Sequence, residues 1–244
     1  MDTTQLVSLS RELADYQSMD ALANNLANVS TPGFKREAPK FQEFLDPMQP
    51  AEGQTGIQNV SFVKQTGMMR DLSEGTIAMT GAPFDVALNG QGYFVVQTAN
   101  GPRYTRNGHF SLDPSGRLVT DSGDPVQGQG GDISVSANDG DITIAADGTV
   151  SGKNGVIGQL NIVDFANDRA LTRQGGSFYA TTQRPQSSTA TVQQGAIEGS
   201  NVQPVVEISN MIEVMRSYQA TMNLSQSHSE LMRQAIDKLA TIQS

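Results

Sequence analysis

A chain of 244 residues is long enough for one large domain or two smaller ones, but at 37% hydrophobic and 6% aromatic it builds a modest core with much turn and loop. It has no cysteine, which removes disulfides, thiolate metal sites and a cysteine nucleophile, and its two histidines, His109 and His228, are too few for a histidine-rich metal centre. A formal net charge of −9 argues against a nucleic-acid footprint and against attraction to an anionic membrane surface.

Residues 3–29 place Leu6, Leu9, Leu13 and Tyr16, then Met19, Leu22, Ala23, Leu26 and Val29, at three- and four-residue steps. That period predicts a helix, with Thr3 or Thr4 as its N-cap. Thr31-Pro32-Gly33 should end it: the proline pushes Thr31 toward extended geometry, and Gly33 can take a left-handed turn. Just before this break stand Asn24, Asn25 and Asn28. Asparagine is a poor helix-interior residue, because its amide competes for nearby backbone groups. Ala23 and Ala27, four apart, would let another helix approach closely, and asparagine amides beside them would bridge backbones and fix register. The extreme N-terminus has an acid at position 2, no basic region and no apolar run, so it does not read as a cleavable secretory signal. No apolar run approaches transmembrane length, and no membrane insertion is expected.

Residues 36–60, including DPMQPAEGQTGIQ at 46–58, read as a linker. Residues 61–180 read as a β domain. DVAL and YFVV within 83–97 are strand-like runs around the turn signal Asn89-Gly90-Gln91-Gly92, and Asn107-Gly108 and Asp113-Pro114-Ser115-Gly116 mark further turns. A faint echo runs through this region. Phe110, Leu112, Leu118 and Gly123 stand around Gly116 as Ile142, Ile144, Val150 and Gly155 stand around Gly148, which reads as two similar hairpins of a β meander. Residues 181–200, rich in Ser, Thr and Gln, read as a second linker. In 201–244, setting Ile208 as heptad position a puts Ile208, Met211, Met215, Tyr218, Met222, Ser225, Ser229, Met232, Ile236 and Leu239 on the a and d positions. That is a coiled-coil pattern with a weak middle. A partial second stripe, through Ile212, Leu224, Leu231, Ala235 and Ile242, calls for more than one neighbour. The fold class is therefore α+β: terminal helices forming a coiled-coil-like α domain, with an all-β domain inserted between them.

No catalytic constellation emerges. No GxSxG elbow surrounds a serine, and His109 in RNGHFSL reads as a strand residue beside a turn. Asn138-Asp139-Gly140-Asp141 and Asp147-Gly148 do not meet the calcium-loop pattern and are good turn chemistry. GQGQGG lacks the Lys-Ser/Thr ending of a phosphate loop. No enzyme activity, metal or cofactor is expected. A carbohydrate-binding or hydrolytic β domain oligomerised by the helices is the competing reading. Against it, no paired carboxylates stand at a motif spacing, and aromatic platforms are scarce.

The stretch ANNLANVSTPGFK at 23–35 resembles the N-terminal motif of the bacterial flagellar rod and hook proteins, with Asn24, Asn25, Ala27, Asn28, Thr31, Gly33, Phe34 and Lys35 as matching positions. PFDVALNGQGYFVVQ with GPRYTRNGHFSLDPSGRLVTDSGDPV resembles the family's β domain, and EGSNVQPVVEISNMIEVMRSYQATMN its C-terminal module. The YTRNGHFSLDPSGRLVT run and the length are most similar to the proximal rod members; distal rod or hook-type members are the alternative. The resemblance implies a structural axial subunit of the basal-body rod, in a periplasm-spanning driveshaft, exported without a signal peptide by the flagellar type III apparatus. It implies helical assembly with itself and other rod proteins, transmission of torque, and contact with the surrounding rings. Leu6, Leu9, Leu13, Tyr16, Ile208, Met211, Met215, Tyr218, Met222, Met232, Ile236 and Leu239 are then the expected helix interface. No nucleic-acid partner is implied.

Overall fold

The computed structural model describes residues 3–48 and 58–242. It divides into two compact units. One comprises residues up to Ala27, Glu37–Met69 and Gln203 onward; the other comprises Asn28–Arg36 and Arg70–Val202.

The first unit is built on helices α1 (Thr3–Ala27) and α2 (Pro204–Ile242). α1 already begins at Thr3, so neither Thr3 nor Thr4 is its cap, and the capping position lies outside the described residues. α2 opens on Pro204, whose fixed φ and missing N–H suit a first helical position. The helices pack antiparallel: Arg11 Nη2 donates to Ser217 Oγ at 3.2 Å, Ser217 Oγ to Asp15 Oδ2 at 3.0 Å, and Asn25 meets Glu207 at the other end. The same unit contains a two-stranded ribbon, Glu37–Met48 with Gln58–Arg70. The expected linker at 36–60 is thus largely strand on both sides of residues 49–57, which lie outside the described residues. The alternation that sets this ribbon is interrupted by Pro39 and Pro47, which is why the sequence hid it; proline is tolerated in such an open-edged strand.

The second unit is β throughout. Its main sheet has six strands in the spatial order Thr172–Arg173, Phe178–Ala180, Gly101–Thr105, Tyr93–Thr98, Ile162–Asp164 and Gln186–Ser187. Tyr93–Thr98 shows why YFVV carries no polar alternation: it is buried on both faces. Phe94 packs with Val86, Leu88, Phe110, Leu118, Ile144, Val150 and Leu160, while Tyr93 and Val95 enter a second cluster with Tyr104, Phe165 and Tyr179. Ring contacts stiffen both clusters: Phe94–Phe110 at 5.1 Å and Tyr104–Phe165 at 4.7 Å are edge-on pairs. The segment expected as a second linker at 181–200 is a correction as well. Thr191–Gln194 pairs with Val86–Asn89 and Ala196–Glu198 with Ile77–Met79, burying Val192 and Ala196 one at a time among exposed polar residues. Such half-buried polar strands resemble a linker in composition.

Candidate assembly interface

The contact between α1 and α2 is rich in small and polar side chains. Ser8, Ala21, Leu22 and Asn25 of α1 and Glu207 and Thr221 of α2 are buried. The apolar stripes face elsewhere. Leu9, Leu13 and Tyr16 are 59%, 58% and 63% exposed, and Ile208, Met215, Met222 and Met232 are 45% exposed each. Ile236 is also exposed, while Leu6, Met211 and Tyr218 are half-buried. The side chain of Leu239 lies outside the described residues. The coiled-coil seam expected from the heptad positions is therefore not the seam between α1 and α2. Leu9, Leu13 and Tyr16 lie on the side of α1 opposite Ser8, Asp15 and Asn25, by the 3.6-residue period.

Asn25 is 1% exposed and almost saturated. Its Nδ2 donates to Glu37 O at 2.8 Å and to Glu207 Oε2 at 3.1 Å, and its Oδ1 accepts from Glu37 N–H at 3.0 Å. One amide thereby fixes the end of α1, the start of the ribbon and the first turn of α2. Glu207 gains as well, since an acid in a first turn is favoured by the helix dipole. Asn24 and Ala27 are exposed.

The other half of the asparagine-rich stretch is built into the β unit. Asn28 O accepts from Thr31 N–H at 3.1 Å, and Asn28 Oδ1 accepts from Thr31 Oγ1 at 3.2 Å, closing the turn. Gly33 has φ +67°, and a Cβ there would fall 2.4 Å from the Arg106 carbonyl carbon, so only glycine fits. Phe34 is 1% exposed, with the Arg173 guanidinium 4.6 Å from its ring centroid. Lys35 Nζ donates to Glu198 Oε1 at 2.6 Å and to Ser73 O at 2.6 Å. Glu198 also accepts from Gly75 N–H at 3.0 Å and from Arg106 Nη1 at 3.3 Å. Burial holds the Lys35 amine below its ordinary range, opposed by the charge of Glu198. Asn201 completes the tie: its Oδ1 accepts from Arg36 N–H at 2.7 Å and its Nδ2 donates to Asp71 O and Ser73 O at 3.0 Å each.

Among the described residues no group of three or more His, Asp or Glu side chains is arranged to hold a metal ion, and no helix is long and apolar enough to cross a membrane. His109 bonds Asp85 through Nδ1 at 2.6 Å and lies at the start of a strand, as its sequence context suggests.

Three family models match along the chain: a flagella basal body rod protein model at residues 10–35, a flagellar hook protein FlgE/F/G D1 domain model at 87–152, and a flagellar basal body rod FlgEFG protein C-terminal model at 193–238. The flagellar basal-body rod protein FlgF of Caulobacter vibrioides is 37% identical over 99% of this chain and 100% of its own length. FlgG of Buchnera aphidicola subsp. Acyrthosiphon pisum is 35% identical over 93% of this chain and 95% of its own. FlgF of Salmonella typhimurium is 33% identical over 85% and 86%. The chain belongs to the flagellar basal-body rod protein family. It is thereby a structural protein of the flagellum rather than a member of an enzyme family.

For a rod-family chain, the two sets of expected interface residues fare differently. Leu9, Leu13 and Tyr16 of α1 and Ile208, Met215, Met222, Met232 and Ile236 of α2 are accessible. The buried motif residues Asn25, Gly33, Phe34 and Lys35 are occupied within their own units. Glu198, Glu207 and Arg106 were not singled out from the sequence, and Asn201 stood out only through the resemblance of EGSNVQP to the family's C-terminal module. The signal was present only as EGSN and VVEIS, short polar runs in which nothing distinguishes a buried carboxylate from a surface one.

Proposed function

We propose that this chain is an axial subunit of the flagellar rod, assembled helically with neighbouring rod subunits through the outward stripes of α1 and α2, and that the assembly transmits torque across the periplasm. The observation that carries this reading is the exposure of Leu9, Leu13 and Tyr16, and of Ile208, Met215 and Met222, on helices that already pack against each other. Contiguous apolar stripes of this kind mark interaction surfaces. The chain's own pairing uses the polar stripe, so the apolar ones are left for other subunits. Each large side chain that becomes fully buried supplies roughly 1.5–3 kcal/mol before ordering costs. Repeated heterologous contacts give an open helical assembly rather than a closed ring.

The buried motif residues have a different part in this reading. They set where each unit begins and ends, so that the stripes are presented in one register. Export through the flagellar type III apparatus, and contact of the β unit with surrounding rings, belong to the same proposal. The test is Met215→Asp, a change at a half-exposed site. Cells carrying it should lose motility and show truncated or absent rods by electron microscopy, while the purified variant keeps the melting temperature of the wild-type β unit. Normal swimming would overturn the proposal.

A further inference from the structure

The echo between 110–128 and 142–160 is carried by hydrogen-bond geometry. Ser111 pairs with Val119 and Leu112 with Leu118; at the same offset Thr143 pairs with Ser151 and Ile144 with Val150. Both turns are alike: Gly116 N–H donates to Asp113 O at 2.8 Å, and Gly148 N–H to Ala145 O at 2.9 Å, with φ of +80° and +83° at the two glycines. The two copies then meet at the bridge Gly128–Leu160. There Gln129 N–H donates to Gln159 O at 2.9 Å and Asn161 N–H to Gln127 O at 3.0 Å. Exchanging the copies turns each of these two bonds into the other, so a local two-fold relates the hairpins.

Under that relation the second hairpin has a cover that, among the described residues, the first lacks. Strand Thr191–Gln194 lies on it: Val192 N–H donates to Ala146 O at 2.9 Å, Gln194 Oε1 accepts from Ile144 N–H at 3.0 Å, and Gln194 Nε2 donates to Ile142 O at 2.8 Å. Ile144 and Val192 are buried as a result. The equivalent groups on the first hairpin are Leu112 N–H, Phe110 O and Pro114 O. Leu112 and Leu118 form the non-hydrogen-bonded pair of their ladder, because the turn bonds Asp113 to Arg117; the Leu112 N–H therefore points off the outer edge. Leu112 is 36% exposed where Ile144 is 5%, and it lines a groove of about 630 Å³ with Phe84, Pro114, Ser134 and Val135.

We propose that this groove on the first hairpin takes a strand from a second copy of the chain, and that the strand is Phe62–Thr66. The occupant of the second hairpin defines the chemistry required: a β-branched residue, any residue, then glutamine. Among the described strands this pattern recurs at Val95–Gln97, Ile157–Gln159 and Val63–Gln65. Val95 is buried and Ile157 packs against the β core, whereas Val63 is 38% exposed. Lys64, between Val63 and Gln65, would join Arg117, which pairs with the Asp113 carboxylate on the groove's rim at 2.9 Å. This strand exchange rests on the assembly reading and assigns it a specific contact.

The chain has no cysteine, which makes the test clean. Leu112→Cys and Val63→Cys are made as separate single variants and co-expressed in a flagellated strain lacking the gene. Basal bodies are then purified and oxidised. The expected result is a disulfide joining positions 63 and 112, identified by peptide mass, that forms when both variants are present and not when either is expressed alone, because the proposed contact brings unlike positions of two copies together. Ser115→Cys, on the same groove, is a second reporter with the same expectation. Swimming cells with complete rods but no mixed dimer from either groove cysteine would overturn the docking proposal and leave the assembly reading intact. So would an equal yield from the control pair Val156→Cys with Val63→Cys, since Val156 is 72% exposed and away from the groove.

Discussion

In the β unit Val86, Phe94 and Val96 are fully buried by the chain's own strands; in the helical unit Leu9, Leu13 and Tyr16 are each more than half exposed. The two units place polar groups in opposite ways as well. The helical pair places Ser8, Asn25, Glu207 and Thr221 beside Ala21 and Leu22 on its buried side, and leaves Leu9, Leu13, Met215 and Met222 exposed. The β unit buries its hydrophobics and hides inside itself one carboxylate with two cations, Lys35–Glu198–Arg106. The lesson is that a core and an interface are distinguished by what satisfies them. The β unit covers most of its large hydrophobic residues with its own strands, while the helices leave Leu9, Leu13, Tyr16 and the outer α2 residues open.

The sharpest consequence is a difference in local stability. In the isolated chain at low concentration, amides of residues 224–238 should exchange with solvent far faster than those of 86–96. A difference of ~4 kcal/mol in opening free energy would make the contrast about a thousandfold. The cause is the exposure of Leu224, Leu231, Met232 and Ile236, since a helix with few tertiary contacts has only its own marginal cooperativity. Equal protection in the two segments would erase the comparison.

Next in size is Glu198→Ala in the β unit. It strands Lys35 and Arg106, both nearly buried, without their carboxylate. Breaking a buried pair in this way costs about 3–5 kcal/mol, so urea unfolding should show a large fall in midpoint. Asn25→Ala tests the helical unit in the same way. It removes two hydrogen bonds to the Glu37 backbone and one to Glu207, for about 1–3 kcal/mol. The loss should appear as earlier melting of the helical circular dichroism signal, with the β unit unchanged.

How much of this was legible depends on the residue. The period-3.6 stripes gave both helices nearly to their ends, because periodicity survives without knowing the partner. The turn signals around Gly116 and Gly148 were legible because glycine at positive φ has few substitutes. The ribbon strand at 37–48 and the strands at 186–198 were not, since Pro39 and Pro47 in one and Ser, Thr and Gln in the other carry the composition of linkers. The asparagines show a subtler limit. The asparagine amides were expected to bridge to the backbone of an approaching helix; Asn25 bonds the Glu37 backbone and the Glu207 side chain within one chain. A sequence shows that an amide needs partners but not whose they are. Likewise the heptad stripe of α2 was visible, while its direction away from α1 required the positions of Ser217, Thr221 and Glu207.

The smallest expected effect is acid sensitivity, and it belongs to the turns of the β unit. Asp71, Asp113 and Asp147 each accept a backbone N–H two residues on, from Ser73, Ser115 and Thr149 at 2.8–2.9 Å, and Asp113 also accepts from Arg117 N–H. These bonds hold all three carboxyls below the ordinary aspartate value of 3.8. As pH falls below 3.8 the unfolded chain therefore takes up protons first, and the stabilisation present at higher pH is lost as pH passes down through the folded values. Asp168 works in the opposite sense: burial raises its carboxyl, so its contribution is full below 3.8 and lost as pH rises through the folded value. Three lowered groups against one raised should leave the β unit losing stability in acid. Near-ultraviolet circular dichroism is a suitable reading, because Tyr93, Tyr104 and Tyr179 are packed in that unit and there is no tryptophan. Asp113→Asn keeps an oxygen to accept from Ser115 and Arg117 but cannot titrate. Its acid midpoint should move down by less than about one pH unit, and an upward move would show that the charge itself, through Arg117, holds the turn.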